Sequence, residues 1–402
     1  MSNYWGDTKL KVIVIGGGII GLFAGYYLAK RGVNIAIVDN GSKNKASIYN
    51  AGVITPTFAK APKLTPMKIM QAIIDKGAIR VSILELLKDP RWFIKASLSY
   101  KKADPVIKLL MKISLDLYYN FFYTEKIDID LNRGVLALFR SLEEAKKIAE
   151  QVGGKLLDSQ NLIELGFKGF EGGVYSENDI AINPEKLYVS LCDRMKEMGC
   201  NFIIEHAIKI REENNIVKVT LSKGENLVAD YLIIAAGAWT TSLCKYLGYN
   251  IRLKPARGLI MLFKANGDRV IPVTSFLEDY GIMLSQHSHG LLRVASFFEI
   301  SGFNTEWSIR RKNHIMTILR KHIDAFKTKN LYLLKEGTGF RPCSIDLKPI
   351  IGKLPKHKRI YISTGHCRQG VSLAPVSGSI ISSMILGEKP PVEKNILESI
   401  SP

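Results

Sequence analysis

Three glycines near the start of the chain have the spacing that binds the phosphates of a dinucleotide. Gly16, Gly18 and Gly21 follow an apolar run and lead into residues 19–30, which read as a helix. The first glycine allows a tight turn, the second lets the backbone approach a pyrophosphate, and the third lets the helix pack closely on a sheet. Asp39 ends the next apolar strand, where a carboxylate can accept hydrogen bonds from an adenosine ribose. The segment therefore predicts a dinucleotide-binding strand, helix and strand.

A second glycine-containing loop, near the other end of the chain, indicates which dinucleotide is bound. Gly365 and Gly370 flank a loop that precedes a helix predicted over residues 376–386. Backbone N–H groups at such a helix start could face the pyrimidine edge of a flavin, where negative charge accumulates on reduction. A nicotinamide enzyme would continue with further βαβ units, whereas this chain leaves its first sheet early and returns to it late. The pattern favours FAD as the dinucleotide. For the loop between Gly365 and Gly370, it favours a contact with the flavin over a plain strand-to-helix turn.

Length and composition indicate two packed domains with a basic surface. The chain has 402 residues, which is too long for one typical hydrophobic core. Hydrophobic residues make up 47% of it, enough to pack two domains. Its formal charge of +19 comes from 56 Lys and Arg against 37 Asp and Glu. The surplus is spread along the chain and suits anionic lipid head groups or acidic substrates. No nucleic-acid-binding motif accompanies it, so we expect no nucleic-acid partner.

The cysteines and the chain start indicate a cytoplasmic protein. The five cysteines show no CxxC pair or metal-ligand spacing, and their odd number argues against a disulfide framework. The first residues lack a secretory signal, so we expect the protein to begin near Met1. Residues 106–123 form the most apolar helical stretch, but charged residues interrupt it well short of a membrane span. We therefore expect a reducing compartment.

The predicted elements place these motifs in an α/β fold with two unlike sheets. A largely helical region over 66–122, with breaks at Pro90 and Pro105, follows the first βαβ unit, and further helices are predicted over 142–152, 184–198 and 307–326. Strands at 201–205, 216–221 and 231–236 are expected to return to the nucleotide-binding sheet. An antiparallel run at 259–263, 281–285 and 291–298 implies a second domain. The predicted fold is a Rossmann-like FAD-binding domain (1–58, 146–250 and 335–402) with an α+β substrate domain (59–145 and 251–334).

Four further segments resemble the D-amino-acid oxidase superfamily, and particularly its D-amino-acid dehydrogenases and glycine oxidases. They are Ser47-Ile48-Tyr49-Asn50-Ala51-Gly52, Ala235-Ala236-Gly237-Ala238-Trp239, Gly339-Phe340-Arg341-Pro342 with Asp346 and Pro349-Ile350-Ile351-Gly352, and Gly365-His366-Cys367-Arg368-Gln369-Gly370 with Leu373-Ala374-Pro375. The resemblance extends over residues 11–387. It implies a flavin-binding domain assembled from three separated segments and a substrate domain whose antiparallel sheet covers the flavin.

The resemblance also implies which residues contact FAD. Cys343 does not match the flavin-linked cysteine of sarcosine oxidases, so we expect a non-covalent flavin. Asp39 stands where the family often has Glu. Cys367 replaces an aromatic or small residue beside the flavin, which leaves redox behaviour open, and we expect a free buried cysteine there. The expected cofactor-binding residues are Gly16, Gly18, Ile19, Ile20, Gly21, Asp39, Asn40, Ala46, Ser47, Asn50, Ala51, Gly52, Val53, Lys209, Gly237, Trp239, Gly365, His366, Cys367, Arg368, Gln369, Gly370, Val371 and Ser372.

Arg341 is the expected substrate clamp, because a planar guanidinium grips a carboxylate through two parallel hydrogen bonds. The Tyr280 hydroxyl is a second candidate for the same carboxylate, and Arg368 could contact either the substrate or the flavin edge. His366 belongs to the cofactor-binding loop, so we expect a structural or flavin-contacting role and assign no catalytic base. His287 and His289 lack further ligands, and no metal site is predicted.

These residues support an FAD-dependent enzyme that oxidises an amino acid by hydride transfer from the α carbon to flavin N5. The leading hypothesis is a D-amino-acid dehydrogenase that yields a 2-oxo acid and ammonia and passes electrons to a dye, quinone or protein. An oxidase of glycine, sarcosine or proline-like amines that uses oxygen is the first alternative. A non-catalytic flavin-carrying subunit of a larger complex is the second. The sequence leaves open whether the chain forms a homo-oligomer.

The helical region offers a candidate membrane contact. It contains Arg91, Lys95, Lys101, Lys102, Lys108 and Lys112 among Trp92, Phe93, Tyr100 and Leu109. Basic and aromatic side chains on one helix suit an anionic membrane surface. Peripheral attachment to the cytoplasmic membrane face is therefore a hypothesis, with a solvated basic face as the alternative.

Overall fold

The computed structural model describes residues 10–42, 45–74, 77–266, 269–328 and 331–402. The predicted start near Met1 lies outside these ranges. The strands are β1 (Lys11–Ile15), β2 (Asn34–Asp39), β3 (Val53–Ile54), β4 (Ile79–Val81), β5 (Asn132–Phe139), β6 (Lys155–Asp158), β7 (Gly172–Ala181), β8 (Asn201–Ile204), β9 (Ala207–Glu213), β10 (Ile216–Leu221), β11 (Asn226–Ala229), β12 (Tyr231–Ile234), β13 (Leu253–Ala265), β14 (Thr274–Leu277), β15 (Ile282–His287), β16 (Leu291–Ile300), β17 (Leu331–Ser344), β18 (Ile350–Lys353) and β19 (Ile360–Thr364). The helices are α1 (Ile19–Ala29), α2 (Pro66–Ile74), α3 (Ile83–Lys88), α4 (Pro90–Glu125), α5 (Leu142–Val152), α6 (Ser159–Glu164), α7 (Pro184–Glu197), α8 (Thr240–Lys245), α9 (Ile309–His322), α10 (Ala325–Thr328), α11 (Gly370–Leu386) and α12 (Lys394–Ile400).

A six-stranded sheet, ordered β18-β19-β12-β1-β2-β8, forms the nucleotide-binding layer. All its neighbouring strands are parallel except β18, which pairs antiparallel with β19. The strands are short apolar runs that are almost fully buried, as expected for a parallel sheet covered on both faces. Because β12 and β19 join the sheet from distant parts of the sequence, the carboxyl ends of five parallel strands meet at one edge.

Helix α1 crosses from β1 to β2 and packs directly against α11. A Cβ at Gly378 would lie 2.6 Å from the Phe23 carbonyl carbon and 2.8 Å from Ala24 N, so only glycine allows this approach. Helix α4 contacts α11 from another side, and the Tyr118 hydroxyl donates to the Val371 carbonyl oxygen at 2.7 Å. The end of α11 that faces the sheet edge is thus fixed by two other helices.

A ten-stranded sheet forms the second layer, with eight strands ordered β17-β13-β16-β15-β14-β5-β7-β3. The other two lie off this order, where β4 pairs with β16 and β6 pairs with β7. Its long strands β13, β16 and β17 pair antiparallel. A fully buried carboxylate, Glu299, bonds Arg257 Nη2 at 2.8 Å and Arg311 Nη2 at 2.6 Å. Arg257 and Arg311 lie over the rings of Trp307 and Phe297 respectively. This charge cluster fixes the end of β16 next to the inter-sheet cleft.

Several predicted elements differ from the structure. Strand β10 does not join the nucleotide-binding sheet but pairs with β9 and β11 in a separate three-stranded antiparallel sheet. Pro90 begins α4, with Asp89 as its N-cap, but Pro105 lies inside α4 without ending it, so the predicted break there is wrong. Helix α11 begins at Gly370 rather than at residue 376. Strands β6, β7 and β17 extend the ten-stranded sheet, whereas the predicted boundaries assign most of these segments to the FAD-binding domain.

Within the part of the chain that the structure describes, one helical stretch, Cys367–Leu386, is long and apolar enough to cross a membrane by length and composition. Its apolar window is 72% buried inside the protein, between α1, α4 and the six-stranded sheet. Its apolar side chains therefore serve as core residues in this fold.

Candidate cofactor and substrate site

A long cleft lies at the edge where the carboxyl ends of β1, β2, β12 and β19 meet, the usual ligand position in open α/β sheets. It encloses about 470 Å³, within the range of cofactor sites. Its walls come from three separated parts of the chain, residues 15–53, 205–246 and 339–372. Distant segments thus meet around one elongated ligand site, as the sequence predicts.

The phosphate-binding end is built by the glycine fingerprint. Gly16 has φ +112°, and a Cβ there would lie 2.4 Å from the Ala235 carbonyl oxygen. A Cβ at Gly21 would lie 2.1 Å from the Gly16 carbonyl oxygen, so helix α1 can approach β1 only with glycine there. Gly18 caps α1 without a side-chain hydrogen bond. The Ser47 hydroxyl accepts from Ile19 N, so the next N–H groups and the positive end of the helix remain to bind a pyrophosphate in the cleft.

Asp39 lies at the end of the cleft where the ribose of an adenosine is expected. Its Oδ2 accepts from Gly17 N at 2.8 Å, and its Oδ1 accepts from Gly41 N at 2.9 Å. Lys45 pairs with the same carboxylate. Glu205 and His206, which follow β8, also line this end and were not among the expected contacts. Because β8 lies beside β2, the sheet order explains their position, but the sequence alone does not give that order.

A loop over residues 45–52 covers the middle of the cleft. Asn50 holds this loop, since its Nδ2 donates to the Ala46 and Ser47 carbonyl oxygens and its Oδ1 accepts from Gly52 N at 2.7 Å. The Ser47 hydroxyl accepts from Ile19 N at 2.8 Å, at the start of helix α1. Arg293, buried in the ten-stranded sheet, donates to the Ile48 carbonyl oxygen at 3.0 Å. The loop is thus bonded to both layers.

The C-terminal wall of the cleft runs from β19 into α11. His366 is buried, and its Nε2 lies 2.9 Å from the Ser377 hydroxyl oxygen. The Ser377 hydroxyl donates to the Leu373 carbonyl oxygen at 2.7 Å, so His366 Nε2 is the donor in their contact. Burial lowers the pKa of His366 to about 3. The ring is therefore neutral at physiological pH, which fits a structural role and not that of a cation.

Arg341 projects from β17 into the opposite end of the cleft. Its Nη1 donates to the Phe297 carbonyl oxygen at 2.8 Å. Burial and the charge of Arg368 lower the pKa of Arg341 to about 10. No carboxylate among the described residues pairs with this guanidinium. Arg341 is therefore a half-buried cation at the cleft wall, and a ligand carboxylate can pair with it there.

The backbone around Arg341 is shaped to hold the guanidinium. Strand β16 bulges opposite β13, because Arg257 pairs with Glu299 while Leu259 pairs with Ser296. Within the bulge Phe297 has φ +63°, a conformation that costs energy for a bulky residue. A Cβ at Gly258 would lie 2.2 Å from Arg341 Nη2. The bulge thus aims an acceptor at Arg341, and Gly258 leaves the space in which the guanidinium lies.

Arg368 lies on the loop before α11 and lines the same end of the cleft. Its Nη2 donates to the Lys60 carbonyl oxygen at 3.1 Å. The surrounding protein lowers the pKa of Arg368, although Glu278 and Asp104 act in the opposite direction. Two guanidinium groups and the N-terminus of α11 therefore give this end of the cleft a positive potential.

Cys343 and Cys367 form a disulfide, so the expectation of a free cysteine at position 367 is wrong. The two cysteines are 24 residues apart in sequence. An isolated antiparallel bridge between Cys343 and His366 brings the end of β17 beside the loop before α11. Cys192, Cys200 and Cys244 are free thiols. The odd number of cysteines therefore does not preclude one specific pair.

Most expected site residues lie in the cleft, but five do not line it. The Tyr280 hydroxyl bonds His322 Nε2 at 2.8 Å and its ring packs with Phe170, away from Arg341. Lys209 is an exposed residue of β9. Gly21 and Gly365 support the cleft through backbone packing, and Gln369 donates to the Lys60 carbonyl oxygen at 3.2 Å. The expected residues that line the cleft are Gly16, Gly18, Ile19, Ile20, Asp39, Asn40, Ala46, Ser47, Asn50, Ala51, Gly52, Val53, Gly237, Trp239, Arg341, His366, Cys367, Arg368, Gly370, Val371 and Ser372.

The residues of the cleft fit FAD. The backbone cradle at Gly16 and the positive end of helix α1 after Gly18 suit a pyrophosphate, and Asp39 suits a ribose. The Ser363 hydroxyl is buried in the cleft wall and has no hydrogen-bond partner among the described residues, so a polar ligand can satisfy it. The cleft also continues to Arg341, beyond the nucleotide-binding end of the sheet. A dinucleotide with a long second half accounts for each of these features.

Comparison with known proteins agrees with this geometry. The chain is 26% identical to the D-amino acid dehydrogenase of Vibrio vulnificus (strain YJ016), over 94% of this chain and 97% of the relative. It is also 26% identical to the D-amino acid dehydrogenase of Vibrio atlanticus (strain LGP32), over 96% and 99%. Its fold matches crystal structures of iminodiacetate oxidase from Chelativorans sp. BNC1 (TM-score 0.78, 19% identity, 97% and 98% coverage) and glycine oxidase from Geobacillus kaustophilus (TM-score 0.74, 19% identity, 98% of both chains). The family model described as FAD dependent oxidoreductase matches residues 11–384, and the chain belongs to this DAO family.

Proposed function

We propose that this protein is an amino-acid dehydrogenase that oxidises a D-amino acid to a 2-oxo acid and ammonia by way of an imine. The observation that carries the proposal is Arg341, a half-buried guanidinium in the cleft without a carboxylate partner in the described protein. An α-carboxylate supplies that missing charge with bidentate geometry. The curated relatives named D-amino acid dehydrogenase support the choice of substrate class.

In this mechanism the protein mainly positions the substrate and supplies positive charge at one end of the cleft. FAD, held without a covalent link by the residues that line the cleft, would supply the hydride acceptor for the substrate α carbon. Arg341, held by the Phe297 carbonyl oxygen and the space at Gly258, fixes the carboxylate and so aims the α C–H bond. His366 stays neutral because burial keeps its pKa low, so we assign it no proton transfer. The guanidinium groups of Arg341 and Arg368 favour negative charge at this end of the cleft.

The electron acceptor in this proposal is a membrane quinone, and the protein reaches it by peripheral attachment. Exposed apolar side chains are concentrated on α2, α3 and the start of α4, where Leu84 and Leu87 are 67% and 71% exposed. Exposed basic residues, including Arg91 and Lys95, lie among them. We define this apolar and basic surface by Met67, Met70, Ile74, Ile83, Leu84, Leu87, Ile94 and Leu98 with Lys63, Lys68, Lys88, Arg91, Lys95, Lys101 and Lys102.

The helical surface differs in its members from the one that the sequence predicts. Trp92 and Phe93 are fully buried and cannot contact a membrane. Ile94 and Leu98, on the opposite side of α4, are 61% and 73% exposed. The helices carry an exposed apolar and basic surface, with Ile94 and Leu98 in place of Trp92 and Phe93, and membrane attachment through it stays a hypothesis.

An anaerobic screen tests the proposed function. The FAD-loaded enzyme is mixed without oxygen with D- and L-amino acids, glycine, sarcosine and both prolines, and the loss of flavin absorbance is recorded. We expect D-amino acids to bleach the flavin, and turnover to be faster with an artificial dye than with oxygen. Hydrogen peroxide release in air with glycine, sarcosine or proline as the best substrate would instead support the oxidase alternative. If none of these compounds bleaches the flavin, a non-catalytic flavin-carrying subunit becomes the better account.

The variant Arg341→Leu tests the clamp within the same screen. A hydrogen bond to a charged group contributes about 1.5–3 kcal/mol, so the loss of two should raise KM by about 100-fold or more. Bound FAD should remain, because Arg341 lies at the far end of the cleft from the nucleotide. Arg320→Leu, on the exposed side of α9, is the matched control and should leave KM unchanged. An unaltered KM in Arg341→Leu would remove Arg341 from the substrate site.

A further inference from the structure

The Cys343–Cys367 disulfide links the two segments that carry the arginines of the candidate substrate site. Cys343 follows Arg341 by two residues on β17, and Cys367 directly precedes Arg368. Both segments reach the same end of the cleft, where Cys367 is one of the lining residues. The disulfide therefore occupies a position at which a flavin ring and a sulfur atom can meet.

The two sulfur atoms are not equivalent. Cys343 is fully buried, whereas Cys367 is 6% exposed and lines the cleft. Electrons that arrive from the cleft therefore reach the Cys367 sulfur first. When the S–S bond breaks, the Cys343 sulfur becomes a thiol on the side of the protein interior. The guanidinium groups of Arg341 and Arg368 lie close to this pair in sequence and share its end of the cleft, and such positive charge stabilises a thiolate as it forms.

The surrounding titratable groups do not oppose this step. His366, between the cleft loop and α11, is neutral and bonded to Ser377. Asp346, on the turn after β17, pairs with Lys348 at 3.3 Å. Glu278 pairs with Lys60, whose backbone carbonyl oxygen is held by Arg368. Asp104 also acts on Arg368. The cations of this region still outnumber its carboxylates, so the net charge around the disulfide is positive: Arg341, Arg368, Lys60 and Lys348 against Asp104, Glu278 and Asp346.

The remaining cysteines make this pair unusual within the molecule. Cys200 and Cys244 are buried free thiols, and burial raises the pKa of Cys244 to about 12. Where a disulfide persists in a reducing compartment, it is mostly catalytic or redox-sensing.

We propose that the Cys343–Cys367 disulfide is a second redox centre that takes two electrons from the reduced flavin. The inference rests on the proposed function only for the natural source of those electrons. Two electrons and two protons break the S–S bond and leave two thiols. The electrons and one proton come from the reduced flavin, which returns to its oxidised form, and the other proton comes from water. A second substrate turnover then leaves four electrons in the chain, and they depart through the flavin to the quinone-type acceptor.

Thiol counting during flavin reduction tests the proposal. FAD-loaded protein is reduced stepwise without oxygen, by light and a photochemical donor in one series and by an amino acid in another. Samples are quenched in acid, unfolded and alkylated, and the labelled cysteines are identified by mass spectrometry. We expect label on Cys192, Cys200 and Cys244 before reduction, and on Cys343 and Cys367 as well afterwards. Complete bleaching should consume about four electrons per chain, twice the demand of a flavin alone.

Two controls separate a redox centre from a purely structural link. Protein without FAD, given the same light and donor, should keep Cys343 and Cys367 unlabelled, because no flavin delivers the electrons. The double variant Cys343→Ser, Cys367→Ser should bleach fully with about two electrons. If that variant fails to fold, the thiol count of the natural protein still decides the question.

The outcomes are distinct. Complete bleaching with Cys343 and Cys367 still unlabelled would overturn the proposal and leave the disulfide as a structural link. Label on all five cysteines before any reduction would also overturn it. Light-driven appearance of the two thiols, without bleaching by any amino acid, would support the second redox centre while refuting the proposed substrate class.

Discussion

Arg341 depends on neighbours that contribute no polar side chain of their own. Gly258 leaves the space for the guanidinium, and Phe297 presents its carbonyl oxygen from a bulged strand. A glycine and a phenylalanine at these positions do not indicate a substrate site when only the sequence is known. The geometry of the clamp is therefore a property of the pairing among β13, β16 and β17, although the clamp residue itself is one arginine.

The variant Gly258→Ala should displace Arg341 without touching the substrate. A Cβ at this position would lie 2.2–2.4 Å from the guanidinium atoms, which must then move. Because a misplacement of about 1 Å can cost about 100-fold in rate, we expect kcat/KM to fall by about 10- to 100-fold, with FAD still bound. In the Arg341→Leu background the same alanine should add little further loss, and steady-state kinetics of the four proteins measure this coupling. Equal losses in both backgrounds would mean that Gly258 acts elsewhere.

At the scale of single residues, the sequence predicts those cleft residues best whose motif lies within a short segment of the chain. The spacing of Gly16, Gly18 and Gly21 lies within one turn and one helix, so it can be read directly. Cys343 and Cys367 meet only because β17 ends beside the loop before α11, which no spacing reveals. Tyr280 has a suitable hydroxyl, but His322 already occupies it.

At the scale of elements, contact between α1 and α11 joins the two ends of the flavin site. Helix α1 directs its N-terminus at the phosphate-binding end, and α11 directs its own at the other end. Their close approach depends on Gly378, beside the backbone of Phe23 and Ala24. The pair therefore fixes the distance between the two positive helix ends that a long dinucleotide would span.

The variant Gly378→Ala should weaken this helix pair. Its Cβ would meet backbone atoms 2.6–2.8 Å away, and a backbone cannot rotate aside as a side chain can. Overpacking of this kind costs about 1–3 kcal/mol, which thermal unfolding should report as a lower Tm, with weaker retention of FAD on gel filtration. Ser379→Ala, at the next and partly exposed position, is the matched control and should change stability by about 0.5 kcal/mol at most. A Tm equal to that of the control would show that the helices can separate without cost.

The elements also show where sequence patterns mislead. A proline usually marks the end of a helix, but α4, which is 36 residues long, continues past Pro105 because its buried face packs on α11 and the core. Tertiary packing therefore outweighs the local penalty of the proline. Strand β10 has the length and apolar residues of a sheet strand, yet its partners β9 and β11 are set by the hairpin connections on either side.

At the scale of the whole molecule, apolar and basic groups are unevenly distributed. Eight of the exposed large apolar side chains lie between residues 67 and 98. The same helices carry basic residues, whereas Glu85, within α3, is buried against Lys254 at 3.0 Å. The exposed side of this region is therefore cationic as well as apolar, which matches an anionic bilayer.

Sedimentation with vesicles tests this surface. We expect the FAD-loaded protein to sediment with phosphatidylcholine vesicles that contain phosphatidylglycerol, and more weakly with phosphatidylcholine alone. Added salt should reduce the bound fraction, because it screens charges beyond about 8 Å at physiological ionic strength. Leu84→Glu with Leu87→Glu should abolish sedimentation, while Val189→Glu, at an exposed position on α7, should not. A natural protein that stays in the supernatant with both vesicle types would refute membrane attachment.

The order of the central sheet has a consequence for how the protein is made. Strand β1 pairs with β12, and β12 pairs with β19, so the middle of the sheet waits for the last part of the chain to be translated. While β19 and α11 are still inside the ribosome, the nascent polypeptide has only part of the flavin cleft and an uncovered α1. We therefore expect cofactor loading to follow release from the ribosome, and a chain that stops before α11 to emerge colourless and prone to aggregate.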